Sequence, residues 1–338
     1  MRILFAGTPE AAVPSLEALL ASPHDIVGVL TRADAPQGRG RHLVPSPVKA
    51  RALAEGLPVI TDRPRGPEFL AQLAALQVEA VAVVAYGEIL HPETLDAVPN
   101  GWVNLHFSVL PAWRGAAPVQ RAVIAGDEYT GATTFVITEG LDSGPVLGVL
   151  TQRIDPRWTA GDLMDALAAS GAHLLVATMD AIADGSALPV AQVEDGVSHA
   201  PKLTVEEGHV DWSRPAMHLD RLVRGFTPNP GAWTTTPAGQ RLGLGPLTVV
   251  PDRTDLAPGE VEAGKRQVLV GTGTHAVALS TVAPQGKKEM AAPDWARGAR
   301  LEADARLGVP ATGTSDGVPG GASDGAVSSD AHAPEGRA

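Results

Sequence analysis

Three residues in this chain of 338 have the types and the setting for proton transfer at a carbonyl: Asn104, His106 and Asp142. The first two lie in WVNLHFSVLPAWRGAAPVQ, Trp102 to Gln120. Being two apart, both side chains project to one side of an extended strand end. Pro111 then breaks the strand, and Arg114-Gly115 precede a helix. Asp142 follows in EGLDSGPVL, a glycine-flanked turn. Histidine gives and takes protons near neutrality. An asparagine amide donates to a carbonyl oxygen as it becomes negative. An aspartate orients the imidazole and stabilises its cation. Together they can move a proton and hold an oxyanion without metal or covalent intermediate. Spacing alone leaves a structural histidine and a turn-forming aspartate as competing readings.

Other chemistries find less support. The chain has no cysteine, which excludes disulfides, zinc–thiolate sites and thiol nucleophiles. No H-E-x-x-H or comparable cluster occurs, so no metal is expected. The first glycine turn is AGTPE and not G-x-G-x-x-G, which argues against a dinucleotide.

The elements that must position the trio follow a βαβ rhythm. Apolar runs at Arg2 to Ala6, Asp25 to Thr31, Leu57 to Ile60, Val78 to Val84 and Trp102 to Leu105 suit buried parallel strands. Ala132 to Ile137 and Pro145 to Leu150 follow as strands at one edge, in antiparallel sense. Thr8-Pro9 and Ser46-Pro47 have the signature of helix starts, and a long helix is expected over 160–183. The fold class is α/β, a doubly wound, mostly parallel sheet, which places ligands outside the carboxyl ends of its strands. After Pro189 the texture changes to turns and short alternating segments. One helix is expected around Pro215 to Arg224, then six strands of a small OB-like β-barrel. From Val309 the chain is Gly, Ala, Ser, Asp and Pro, composed for disorder. The expected units are 1–189 as catalytic domain, 190–206 as linker, 207–308 as barrel and 309–338 as tail.

Net charge is -12, which taken whole disfavours a polyanionic partner. Its distribution matters more. Arg32, Arg39, Arg41, Lys49 and Arg51 face Asp34 alone within one twenty-residue stretch, and nucleic-acid binding depends on such patches. Arg39, Arg41 and His42, spaced by glycine, form an arm able to follow a phosphate backbone; a solvated loop is the alternative. Lys287 and Lys288 could extend that contact. The apolar start is too short for a signal peptide. No stretch is expected to cross a bilayer, so a cytoplasmic protein without a membrane partner is expected; a monomer is expected as well, although nothing in the sequence gives the oligomeric state.

NLHFSVLPAWRG resembles the signature of the folate-dependent formyltransferases, in which N-x-H precedes S-L-L-P and R-G, with the aspartate in a G-L-D-[ST]-G turn. The resemblance implies that Asn104, His106 and Asp142 are catalytic. It also implies that Ser108, Val109, Leu110 and Pro111 contact tetrahydrofolate, Val109 replacing the usual leucine. Val83 to Leu90, including Val84, Tyr86 and Gly87, is similar to the family's folate-pocket wall. FAGTPEAAVPSLEAL, DAPQGRGRHLVPSPVK, APKLTVEEGHVDWSRPAMHLDRLVRGFTPNPGAW and APQGKKEMAAPDWARG resemble the branch that acts on methionyl-tRNA. That branch implies 10-formyltetrahydrofolate as donor, initiator methionyl-tRNA as acceptor, and contact of the Arg39–His42 arm and of Lys49 with the tRNA. It further implies that Asn104 and protonated His106 stabilise the tetrahedral oxyanion while Asp142 holds His106. A formyl hydrolase or amino-sugar formyltransferase, and an inactive tRNA- or folate-binding module, are the alternatives.

Overall fold

The structure is a computed structural model and describes residues 1–37, 42–302 and 304–308. Arg39, Arg41 and the segment from Val309 lie outside the described residues.

Strands β1 (Arg2–Gly7) and β2 (Asp25–Leu30) are buried along almost their whole length. Burial on both faces is why they read as continuous apolar runs. A short antiparallel hairpin, β3 (Ala35–Gln37) and β4 (His42–Val44), follows where only a loop is expected. The sheet is completed by β5 (Val59–Ile60), β6 (Ala80–Val84), β7 (Trp102–His106), β8 (Tyr129–Val136) and β9 (Val146–Arg153). Its order is β5-β2-β1-β6-β7-β8-β9. The first five are mutually parallel, and β8 and β9 run antiparallel at one edge, as expected. From β1 the chain winds outward through β2 to β5, then returns to β6 on the other side of β1. That reversal opens a crevice at the carboxyl ends of β1 and β6.

Helices α1 (Val13–Leu20), α2 (Pro47–Ala54), α3 (Gly66–Ala75), α4 (Pro92–Leu95) and α5 (Pro118–Ala125) accompany the strands. Ser46 caps α2, its Oγ accepting from the Lys49 amide at 3.0 Å. Thr8 is not a cap. A short 3-10 turn, Glu10–Ala12, comes first, and Thr8 Oγ donates to Tyr86 O at 3.2 Å, tying the ends of β1 and β6 together. Helix α6 (Ala160–Ala183) starts at a capping box between Thr159 and Asp162. Its 24 residues are long and apolar enough to cross a membrane by length and composition, which corrects the expectation that no stretch is. Leu163, Leu167, Leu175 and Met179 are nonetheless buried in the same core as β1 and β6.

A second core lies in the C-terminal part. Helix α7 (Ala216–Phe226) leads into β10 (Ala232–Thr235), β11 (Arg241–Leu244), β12 (Leu247–Val250), β13 (Val261–Ala263), β14 (Val268–Val270), β15 (Ala276–Leu279), β16 (Thr281–Pro284) and β17 (Met290–Ala291). These form two antiparallel four-stranded sheets, β10-β11-β16-β17 and β12-β15-β14-β13, around a shared apolar core. Eight strands replace the six expected. The run over 276–282 divides between β15 and β16, which belong to different sheets. The short β17 carries too little apolar pattern to read. Helix α8 (Ala292–Ala299) closes the core with Ala292, Trp295 and Ala296.

Candidate active site

Strand β7 ends beside the crevice. Asn104 sits across from Val83 of β6 and Phe135 of β8, and His106 across from Thr133. Asn104 is half-buried, and its carboxamide has no hydrogen-bond partner among the described residues. His106 is buried, 6% exposed. Its Nε2 stands 2.9 Å from Trp113 O. A carbonyl only accepts, so Nε2 carries the proton of the neutral ring. Nδ1 is then a lone pair facing Asp142 Oδ2 at 3.7 Å, beyond hydrogen-bond length. That oxygen is aimed by the Gly115 amide, which donates to it at 2.7 Å. At Gly115, φ is +125°, and a Cβ would lie 2.8 Å from Ala200 O, so only glycine brings its amide there.

Burial pushes the His106 imidazole below its ordinary value, and the opposing pull of Asp142 and of Trp113 O is smaller. The resting ring is therefore neutral at neutral pH. The imidazolium would lose its hydration inside the sheet, so the protonated His106 expected beside the tetrahedral oxyanion would have to form during the reaction.

The turn after β7 is internally braced. Ser108 Oγ donates to Ala112 O at 2.6 Å, while Thr133 Oγ1 donates to Ser108 O at 2.7 Å and accepts from Leu110 N at 3.1 Å. Ser108 and Leu110 are buried, whereas Val109 and Pro111 are half-buried. Of the four, Val109 and Pro111 have surface to offer a ligand, and the Ser108 hydroxyl shapes the turn.

On the β6 side, Val84 and Tyr86 are buried. Burial pushes the Tyr86 phenol up to about 12, with Glu88 adding to the rise and Arg32 opposing it. Gly87, at φ +81°, accepts from Arg32 Nη2 at 2.5 Å. Beside it opens a cleft of about 360 Å³ lined by Arg32, Arg63, Arg65, Glu88, Ile89 and His91, among others. The side chains of Arg63 and Arg65 have no partner among the described residues. Sequence reading missed both. Their signal is the R-P-R that closely follows β5, at a strand's carboxyl end.

The expected tRNA residues that are described sit on different elements. His42 is exposed on β4, and Lys287 and Lys288 are exposed in the turn between β16 and β17. Lys49 Nζ is committed to Asp34 Oδ1 at 2.6 Å, so its charge is partly spent inside the protein. Among the described residues no group of three or more His, Cys, Asp or Glu is placed to hold a metal ion.

Comparison with known proteins agrees with this architecture. The formyl transferase family matches residues 1–179, and the formyl transferase C-terminal domain matches residues 202–300. The methionyl-tRNA formyltransferase of Streptomyces coelicolor is 57% identical over 310 residues, 91% of this chain and 100% of that protein. That of Mycobacteroides abscessus is 60% identical over 305 residues, covering 90% and 99% respectively. Among solved structures, the N-formyltransferase from Helicobacter canadensis, in complex with folinic acid and dTDP-3-aminofucose, superposes with a TM-score of 0.62 at 16% identity. It covers 82% of this chain and 99% of that one. HypX from Aquifex aeolicus, in complex with tetrahydrofolic acid, superposes with a TM-score of 0.60 at 16% identity over 88% of this chain and 47% of that one. These two show a shared fold. From the family match along both halves and the relatives of more than 50% identity, the chain belongs to the formyl transferase family, on the branch of the methionyl-tRNA formyltransferases.

Proposed function

We propose that the crevice transfers the formyl group of 10-formyltetrahydrofolate to the amino group of initiator methionyl-tRNA, with Asn104, His106 and Asp142 as its working groups. The carrying observation is their convergence at the end of β7: a free carboxamide, a neutral imidazole with an unprotonated Nδ1, and an aimed carboxylate. The deprotonated methionyl amine adds to the formyl carbon, and the carbonyl oxygen becomes an oxyanion that accepts from Asn104 Nδ2. His106 Nδ1 takes the proton released by the amine, and the Asp142 carboxylate stabilises the imidazolium. The proton then passes to the folate nitrogen as the carbon–nitrogen bond breaks, releasing tetrahydrofolate and the formylated ester. The neutral resting state of His106 suits this sequence, since the ring must first accept.

Val84, Tyr86, Gly87, Ser108, Val109, Leu110 and Pro111 are read as the folate's surroundings, of which Gly87, Val109 and Pro111 keep surface facing solvent while the Ser108 hydroxyl braces the turn. The glutamate carboxylates of a folate give the Arg63 and Arg65 cleft a matching charge. Arg63→Ala with Arg65→Ala is expected to raise the folate KM about tenfold at low salt with kcat little changed, as for loss of charge-assisted hydrogen bonds. A folate KM equal to wild type would remove the two arginines from the site.

Arg39, Arg41, His42, Lys287 and Lys288 are read as tRNA contacts, and Lys49 as a minor one given its ion pair with Asp34. Arg39→Ala with Arg41→Ala is expected to weaken tRNA binding and to reduce the log–log salt slope by about one unit per lost phosphate contact. Folate binding should stay unchanged. An unaltered slope would mean that neither arginine touches the backbone.

The proposed units remain 1–189, 190–206 and 207–308, supported by the two separate main cores. The protein is read as a cytoplasmic monomer, which sedimentation of the purified chain tests. The deciding experiment incubates the protein with 10-formyltetrahydrofolate and charged initiator tRNA and looks for the formylmethionyl ester. Formate release without that ester would point to a hydrolase.

A further inference from the structure

Residues 190–200, which join the two cores, are laid against both loops of the site. At one end Val190 exchanges backbone hydrogen bonds with Val146 at the start of β9, at 2.7 and 2.8 Å. At the other, Arg114 N donates to Ser198 O at 2.9 Å and Ala200 N to Arg114 O at 2.7 Å. Between these anchors stands Gln192. Its Nε2 donates to Asp142 O and to Gly144 O, each at 2.8 Å. Its Oε1 accepts from Arg114 Nη2 at 2.6 Å and Nε at 3.1 Å. One carboxamide thus makes four hydrogen bonds, two to each loop. Ser198 adds a fifth tie, its Oγ accepting from Trp113 N at 2.9 Å.

The two residues that face the His106 ring nitrogens are both under backbone strain. Asp142 has φ +46° and Trp113 φ +61°, and neither is glycine. Such conformations cost about 1–3 kcal/mol each and persist only where the surroundings over-determine them. At Asp142 the surroundings are the Gly115 amide and Gln192; at Trp113 they are His106, Ser198 and Asp127, whose Oδ2 accepts from the Trp113 indole at 2.8 Å.

We propose that Gln192 is a positioning residue, holding the strained Asp142 turn opposite His106 Nδ1 and tying that geometry to the segment that leads into the C-terminal part. This rests on the reading of His106 and Asp142 as the proton-moving pair. Gln192 touches no reacting atom. It acts through Asp142, so that loosening it lets the carboxylate drift from the imidazole. Misplacement on the scale of one ångström costs on the order of a hundredfold in rate.

Two variants test it in the full-length protein. Gln192→Met keeps the length and removes all four hydrogen bonds. Gln192→Glu keeps an acceptor for Arg114 and removes both donations to the Asp142 turn. Both are expected to lower kcat by roughly ten- to a hundredfold, with folate KM within about twofold of wild type. The His106 titration, followed by NMR, should move to lower pH in Gln192→Met, because the nearby carboxylate that raises it is no longer held. Wild-type kcat in Gln192→Glu would overturn the proposal, as would an unchanged His106 titration in Gln192→Met, even if melting temperature and kcat both fell. Should Gln192→Met not fold, Gln192→Glu decides alone. The titration needs no substrate, so its outcome is separate from that of the formyl-transfer reading beneath it.

Discussion

Purified His106→Ala is expected to turn over at least about a hundredfold more slowly than wild type, the loss typical of a positioned acid–base group. Both proton transfers of the proposed reaction pass through Nδ1, so kcat and kcat/KM should fall together while folate binding holds. The pH dependence follows from the direction of the pKa shift. Burial holds the His106 value below that of an ordinary histidine, so the ring is neutral and competent at pH 6.5; beneath the separate limb of the substrate's own α-amino group, ordinarily at about 7.7–8.0 and also required deprotonated, the His106 limb of kcat/KM lies below pH 6.5. Asp142 raises the His106 value; Asp142→Asn should therefore move the limb to still lower pH as well as slow the reaction. Stability follows the same sign. In the unfolded chain His106 takes up a proton as pH falls through about 6.5, whereas in the fold it resists. Its contribution to stability is thus complete above that pH and is lost as pH falls toward the folded value. His24, whose pKa is also lowered by burial, adds a loss of the same sign. Near-normal turnover of His106→Ala would return the histidine to a structural role.

Much of this site is visible in residue order because its main members come from one strand end and one turn. The N-x-H spacing survives folding as two side chains on one side of β7, and the Asp142 turn reaches them because β8 pairs with β7 in the next sheet position. The apolar runs of β1, β2 and β6 are legible for the opposite reason: burial on both faces leaves no room for polar residues. Other features depend on contacts that no local pattern encodes. The charge state of His106 is set by how deeply the sheet buries it. Thr8 has the chemistry of a cap, but its hydroxyl goes to Tyr86 O, 78 residues away. Gln192 recognises main-chain carbonyls of Asp142 and Gly144, atoms every residue possesses, so no side-chain motif announces it. The β3–β4 hairpin pairs only three residues on each side and leaves β4 wholly exposed, so burial imprints no pattern on it.

Asn104→Ala is expected to lower kcat by about 10²–10³, equivalent to roughly 2.7–4 kcal/mol, the effect of removing one donor from an oxyanion site. The structure makes this an unusually clean substitution. Asn104 is half-buried on a central strand, yet its carboxamide has no partner among the described residues to orphan, so the melting temperature should change by no more than about two degrees. The missing energy belongs to the transition state. In the ground state the formyl oxygen is neutral and takes a weak hydrogen bond; as the amine adds, the oxygen becomes charged and the same bond strengthens. KM for folate and for tRNA should therefore stay near wild type while kcat falls. Asn104→Asp sharpens the case: it keeps size and strand geometry but replaces the donor with a carboxylate, which repels the oxyanion, and should lose at least as much. If either variant kept its kcat and lost only affinity, Asn104 would be a ground-state contact, and stabilisation of the oxyanion would have to come from another group at the end of β7.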